Sequence, residues 1–217
     1  MSSAAPLQPP RENAIEIATY VAQPRAKRSF NTILDASQIF AYDGRSIVKS
    51  TASGEGSGRR VVLETSHPLQ GGQIAETFEL QAGSHLVPLR LERKVLDDQG
   101  VASREERIEF RRGPLQLPEA CYPEVMLPFL LRWQPRTGEK LSFYAWIVDR
   151  FVARVYYEAV KDVTLDTPAG RVEAVEGVMY PDLNDWVNLG SVITKLAKPL
   201  LPKYRMWFER AAPHRVV

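Results

Sequence analysis

Residues 89–110 read LRLERKVLDDQGVASREERIEF, in which apolar and charged side chains alternate on both sides of the turn residues DDQG. Alternation of this kind is typical of β-strands with one buried face, and a Gly-containing turn between two such runs predicts a β-hairpin. Like charges directly opposite each other on paired strands are unfavourable, so the charges discriminate between registers. A turn centred on residues 98 and 99 would set Arg90 against Arg107, whereas a turn centred on residues 99 and 100 sets Arg90 against Glu109.

The second register brings opposite charges together at every charged pair. It also puts Gly100 where a two-residue hairpin loop takes positive φ, which glycine adopts without strain. The predicted pairs are Arg90 with Glu109, Glu92 with Arg107, Arg93 with Glu106, Lys94 with Glu105, Leu89 with Phe110 and Leu91 with Ile108.

Most of the remaining sequence continues the same pattern, with short alternating runs separated by Gly- and Pro-containing turns such as GEGSG, QGGQ and TPAG. We therefore predict a mainly β protein, a strongly curved antiparallel sheet (a half-barrel or open barrel) with two short helical insertions. The predicted strands span residues 14–21, 38–42, 46–51, 60–65, 74–80, 86–96, 102–111, 140–148, 153–162, 171–180 and 203–209.

Two segments have helical spacing instead. PEVMLPFLLRW, residues 123–133, predicts a short buried helix that Pro128 kinks or interrupts. NLGSVITKLAKP, residues 188–199, sets Ile193 and other apolar side chains on one face and lysines on another, which predicts an amphipathic helix. We expect this second helix to act as a lid on the apolar face of the sheet.

Length and charge indicate an ordinary globular protein, with 217 residues and a formal net charge of +2. We predict a disordered lead over residues 1–12 and a single β domain over residues 13–217. The balanced charge argues against nucleic acid as a partner, and no apolar run approaches the roughly 18 residues of a membrane segment. The single cysteine, Cys121, cannot form an internal disulfide, and a buried inert thiol is favoured over a nucleophile. The oligomeric state is not determined at this level.

The start of the chain, MSSAAPLQPPRE, has neither a basic beginning nor an apolar core. As written, the sequence predicts a cytoplasmic protein, or a periplasmic one if a signal peptide has been removed.

Several motifs in the second half of the chain occur in the same order in a known family. They are the apolar segment at 128–133, GEKLSF at 138–143, TPAG at 167–170 and the aromatic strand KYRMWFE at 203–209. Over residues 119–209 the chain resembles a bacterial family known as domain of unknown function 3108. The resemblance implies a mostly antiparallel half-barrel, similar in outline to lipoprotein carriers that hold acyl chains on a concave apolar face. It implies no catalytic residues.

YPDLNDW, residues 180–186, places three oxygen-bearing side chains between two aromatic residues. Asn184 or Asp185 is suited to cap the helix predicted to follow, and capping is the favoured interpretation. In the functional alternative, Asp182 and Asp185 both point into the concave face near Tyr204 or His214, where two carboxylates would shift each other's pKa.

Motifs for common enzyme classes are absent from the sequence, which has no Gly-x-Ser-x-Gly, phosphate loop or dinucleotide fingerprint. The three histidines are too scattered for a metal site, so we expect neither a metal nor a cofactor. The remaining candidates are polar and aromatic side chains on the strand faces. Candidate acid or base groups are Tyr144, Tyr156, Asp185 and Tyr204, and candidate ligand-binding residues are Trp146, Trp186, Ile193 and Trp207.

Three functions fit these features. The first is a module that holds a hydrophobic small molecule or lipid on the concave face, because the apolar strand faces exceed what the helices can cover. The second is a cofactor-free enzyme, a cyclase or isomerase, that acts on a hydrophobic metabolite in the same cavity. The third is a protein-interaction domain, which predicts an exposed apolar edge instead of an enclosed pocket.

Overall fold

A computed structural model describes residues 7–21, 45–69, 71–110, 117–134, 140–148, 151–167, 169–182 and 203–217. These residues form a mainly β structure with one short α-helix. The strands are β1 (Ala14–Val21), β2 (Arg45–Ser53), β3 (Arg60–Leu69), β4 (Gly72–Ala82), β5 (Leu86–Asp97), β6 (Ala102–Glu109), β7 (Cys121–Pro123), β8 (Leu141–Val148), β9 (Phe151–Thr167), β10 (Gly170–Pro181) and β11 (Tyr204–Glu209). The helix α1 spans Leu127–Leu131, and two 3-10 turns span Gly56–Gly58 and Glu124–Met126.

The strands form two sheets. Sheet A has the order β1-β2-β3-β4-β5-β6 and is antiparallel throughout, and sheet B has the order β11-β10-β9-β8-β7. The chain divides into two compact units, Pro9–Leu117 with sheet A, and Met1–Gln8 together with Pro118–Val217, with sheet B. The prediction of a single domain over residues 13–217 stays a prediction.

The buried face of sheet A follows the alternation that the sequence predicts. Along β3, every second side chain from Val61 to His67 is buried, and along β4 the same holds from Glu76 to Ala82. One end of this face is apolar, with Leu63 paired to Phe78 and Phe78 paired to Leu91. Burial of such side chains stabilises the fold by about 1.5–3 kcal/mol each.

The hairpin of β5 and β6 confirms the register that the charges predict. Arg93 pairs with Glu106, and the other predicted charged pairs and the Leu91–Ile108 pair are all present. The amide of Phe110 also donates to the carbonyl of Leu89. The loop itself differs from the prediction: a bulge between Val95 and Leu96 lengthens it from two residues to three.

The hydrogen bonds of this loop explain the extra residue. The Asp97 carboxylate accepts hydrogen bonds from the amides of Gln99 and Val101, at 3.0 and 2.8 Å. Gly100 has the predicted positive φ, 78°. A three-residue loop with glycine in the left-handed region followed by a bulge is a common alternative to the two-residue turn.

The core of sheet B is aromatic. The rings of Tyr122 and Phe143 meet edge to face with centroids 6.1 Å apart, and those of Tyr157 and Phe208 do so at 6.4 Å. Burial raises the pKa of the Cys121 thiol to about 12, so this cysteine is a protonated core residue, as expected.

Two elements differ from the sequence-based expectations. Strand β7 was not predicted; it pairs with β8 in parallel and is three residues long. The α-helix is shorter than predicted, and Pro128 lies in its first turn instead of kinking it, because a proline at that position lacks an amide that the helix would leave unbonded in any case. The predicted strand at 38–42 and helix at 188–199 lie outside the described residues.

Among the described residues, no helix is long and apolar enough to cross a membrane.

Candidate functional site

Three neighbouring strands of sheet B carry polar and aromatic side chains on one face. Ser142 on β8 pairs with Tyr156 on β9, and Tyr156 pairs with Tyr180 on β10. The rings of Tyr156 and Tyr180 have centroids 5.7 Å apart. These side chains are therefore neighbours because of strand pairing, although they lie far apart in sequence.

A β-bulge creates this alignment. From the TPAG turn, Arg171 pairs with Asp166 and Glu176 with Lys161, and a strict continuation would set Tyr180 against Tyr157. The register shifts by one residue between Glu176 and Gly177, so that Tyr180 lies against Tyr156 instead. A shift of one residue moves every following side chain to the other face of the sheet.

Asp182 connects to this face directly after β10. Its amide donates to the Arg154 carbonyl at 2.8 Å, which continues the strand pairing beyond Pro181. The Tyr156 hydroxyl donates to Asp182 Oδ2 at 2.6 Å, and Asp182 is 8% exposed. A short hydrogen bond to a largely buried carboxylate is of the strong, charge-assisted kind.

Two cations lie against the Tyr156 ring. Lys140 Nζ is 3.7 Å from the ring centroid and 5.1 Å from that of Tyr180, and Arg154 Cζ is 5.9 Å from the Tyr156 centroid. Arg154 Nε also donates to Ser142 Oγ at 2.9 Å. Cations over a tyrosine ring are attracted to its negative face. We call these six residues the Tyr156 site: Lys140, Ser142, Arg154, Tyr156, Tyr180 and Asp182.

The charge of Lys140 is not compensated by a carboxylate among the described residues. Asp182 is engaged by Tyr156, and none of the described carboxylates forms an ion pair with Lys140. The Lys140 ammonium is exposed, while the rings beside it are half-buried. This arrangement presents one positive charge at the margin of an aromatic surface.

The structure brings some of the predicted site residues to the Tyr156 site. Tyr144 pairs with Arg154 and lies on the same face as Tyr156. Trp146, two residues farther along β8, has the same orientation and is 4% exposed. Trp207 on β11 is half-buried. It lies on this face as well, because Arg205, two residues before it on β11, pairs with Val178 on this face.

Tyr204 is separated from these residues. It pairs with Met179 and therefore lies on the opposite face of sheet B. Desolvation, with a smaller effect of Glu124, raises the pKa of Tyr204 to about 12, so its hydroxyl stays protonated at neutral pH. The predicted residues Asp185, Trp186 and Ile193 lie outside the described residues.

Lys140, Ser142 and Tyr180 were missed from the sequence. A usable signal was the glycine inside the β10 run, because an isolated glycine in a strand often marks a bulge. Asp182 was considered only beside Asp185 and near Tyr204 or His214, whereas its observed partner is Tyr156.

A second polar cluster lies on the buried face of sheet A. Glu76, with a side chain 2% exposed, accepts a 2.7 Å ionic hydrogen bond from Arg93 Nε, and Thr65 Oγ1 donates to Glu76 at 3.5 Å. Arg93 also approaches Glu106 at 3.5 Å, so the polar pairs cross four strands. His67 beside them is 3% exposed, and burial lowers its pKa although Glu76 opposes this. We interpret this cluster as a structural ladder, because its charges engage each other across the strands.

No group of three or more histidine, cysteine, aspartate or glutamate side chains among the described residues is arranged to hold a metal ion. Comparisons of the chain with protein-family models, curated proteins and solved structures found no match. The resemblance to the domain of unknown function 3108 family therefore stays a prediction.

Proposed function

We propose that the protein binds a small amphipathic molecule or lipid at the Tyr156 site. The observation that carries this proposal is the position of Lys140, whose ammonium group lies over two half-buried tyrosine rings and forms no ion pair with the described carboxylates. The apolar part of the ligand lies on the aromatic face that includes Tyr144 and Tyr180, and an acidic head group lies at Lys140.

The binding energies expected from the acidic head group and from the apolar part of the ligand differ in size, so the two parts have different roles. An exposed ion pair between Lys140 and an acidic head contributes about 0–1 kcal/mol. Each methylene group removed from water contributes about 0.8 kcal/mol, so a medium-length acyl chain supplies most of the affinity. The head group therefore determines the orientation of the ligand, and the apolar part determines how tightly it is held.

Fluorescent fatty acids, followed by native mass spectrometry after incubation with a lipid extract, test the proposal. We expect retention of an acyl ligand and several-fold weaker binding of fatty acids by Lys140→Gln. Lys161→Gln is the matched control, because Lys161 is a lysine of the same sheet that already pairs with Glu176 at 3.6 Å. If the wild-type protein retains no ligand above background, the proposal is wrong.

A second candidate function is a cofactor-free enzyme, a cyclase or isomerase, at the same site. The 2.6 Å hydrogen bond between Tyr156 and Asp182 favours it, because the phenol oxygen can take a proton from the substrate while the phenol passes its own proton to the carboxylate. Incubation with an extract of hydrophobic metabolites should then show conversion by the wild-type protein and none by Tyr156→Phe, with ligand retention unchanged. Retention without conversion by the wild-type protein favours the carrier.

A further inference from the structure

The edge strand β1 of sheet A is both apolar and exposed. Ile15 and Ile17 are 70% and 69% exposed. Ile47 of β2, which pairs with Thr19 of β1, is 47% exposed. Among the described residues, β1 has a strand partner on one side only, which is β2. An edge strand offers a row of backbone amides and carbonyls to another strand.

The two edges of sheet A contrast in chemistry. The opposite edge, β6, reads ASREERIE and is charged, which discourages pairing with a further strand. Strand β1 reads AIEIATYV, contains no proline, lysine or arginine, and pairs with β2 over eight residues without a bulge. Among the described residues, the edge at β6 is therefore protected by a run of charges, whereas β1 carries a single charged side chain, Glu16.

The sequence of β1 is compatible with pairing to itself. In an antiparallel pair about a twofold axis perpendicular to the sheet, an axis at Ile17 sets Ile17 against its own copy and Ile15 against Thr19. The single charged residue, Glu16, then lies opposite Ala18. An axis at Glu16 would set two carboxylates against each other, which is unfavourable. The nearest lysine on the outer face, Lys49, is already neutralised by Glu64 at 2.6 Å.

We propose that β1 pairs antiparallel with β1 of a second copy of this chain, with Ile17 opposite Ile17, so that two copies of sheet A form one continuous sheet. Both exposed isoleucines of each β1 then gain a cross-strand neighbour. An interface made by one strand pair and its flanking side chains is small, so the dimer forms in a concentration-dependent equilibrium.

Sedimentation or light scattering at protein concentrations of about 1–500 µM tests this proposal. This range suits the weak association expected of a small interface. We expect the mass of the wild-type protein to rise from that of one chain towards that of two. Ile17→Lys should remain one chain throughout the range, with an unchanged β-sheet circular dichroism spectrum. The control Val160→Lys replaces a 53% exposed valine on sheet B and should dimerise like the wild type.

Cysteine cross-linking tests the register. Directly opposed residues have Cα atoms about 4.5–5.5 Å apart, within the range of a disulfide. Ile17→Cys should therefore form a covalent dimer on oxidation, whereas Ile15→Cys should not, since its copy lies about 13 Å away along the strands. Oxidation of the wild-type protein, whose native Cys121 is buried, measures the background level of cross-linking. A wild-type protein that stays a single chain throughout, a dimer that Ile17→Lys leaves intact, or cross-linking through Ile15→Cys instead overturns the proposal.

Discussion

The Tyr156 hydroxyl on β9 donates a 2.6 Å hydrogen bond to Asp182, the residue that follows β10. It joins two adjacent strands on the face where Lys140 lies over the same tyrosine ring. Because the carboxylate is largely buried, the hydrogen bond supports the local fold.

Removal of this hydroxyl should destabilise the protein. Tyr156→Phe takes one hydrogen bond from a buried carboxylate, which costs about 1–3 kcal/mol of unfolding free energy. Urea denaturation measures the loss. The control is Tyr144→Phe, because the Tyr144 hydroxyl forms no hydrogen bond with the described residues. We expect this substitution to change the free energy of unfolding by no more than about 0.5 kcal/mol. Equal effects of the two substitutions would show that the Asp182 contact contributes nothing.

The pair of Glu76 and Arg93 should contribute more than the other charged pairs of sheet A. Arg93→Gln leaves the Glu76 carboxylate buried without its cation, and we expect a loss of about 3 kcal/mol, the lower end of the range for breaking a buried pair, because Arg93 is partly exposed. Lys94→Gln is the control: Lys94 and Glu105 are well exposed, and their pair contributes at most about 1 kcal/mol.

Thermal or urea unfolding of both variants measures the difference. Since the cost of Arg93→Gln comes from the orphaned carboxylate, the double variant with Glu76→Gln should recover part of the stability. A loss no larger than that of Lys94→Gln would contradict the structural role of the ladder.

His67 should make stability depend on pH. Burial lowers the pKa of His67 in the folded protein below the value of about 6.5 expected in the unfolded chain, so the unfolded chain binds the proton more readily. The free energy of unfolding should therefore be highest above about pH 7 and fall as pH decreases through 6.5 towards the folded pKa.

The contribution of His67 is the difference between the wild type and His67→Gln, measured by urea denaturation from about pH 8 to pH 5. The slope attributable to His67 should disappear in this variant and persist in His85→Gln, whose side chain is partly exposed. Identical pH profiles for the wild type and His67→Gln would exclude this histidine as the cause.

Gly177 should tolerate no side chain. A Cβ atom there would lie 2.5 Å from Tyr157 Cε2, and the Tyr157 ring is held in the core against Phe208. We expect Gly177→Ala to cost about 1–3 kcal/mol, as overpacking does. Gly58→Ala is the control, because nothing lies within 4 Å of a Cβ at that position.

The same substitution tests the bulge. If Gly177 allows the register shift, Gly177→Ala should also weaken ligand binding at the Tyr156 site, although Gly177 is not one of the residues of that site. Calorimetry of unfolding together with the fatty-acid assay measures both effects. If Gly177→Ala is as stable as Gly58→Ala, the Tyr157 ring can move away from the added methyl group without cost.

The sequence by itself determined the strands of the described regions other than β7, and the register of the β5–β6 hairpin. Local alternation sets which side chains face inward, and the charges of residues 90–109 permit one pairing without like-charge contacts. It could not reveal β7, because three residues are too few to show a period and its parallel pairing with β8 depends on a connection of many residues.

The candidate site was predicted only in part, since Tyr156 was identified but its contacts with Lys140, Tyr180 and Asp182 were not. A regular register from the TPAG turn sets Tyr180 against Tyr157, and only the shift at Gly177 sets it against Tyr156 and brings Asp182 into contact. The Tyr157 ring, packed between Gly177 and Phe208, occupies the space at that shift. Alternation along a strand is local and can be read from the sequence, whereas a one-residue bulge depends on packing between strands and is decided by the tertiary structure.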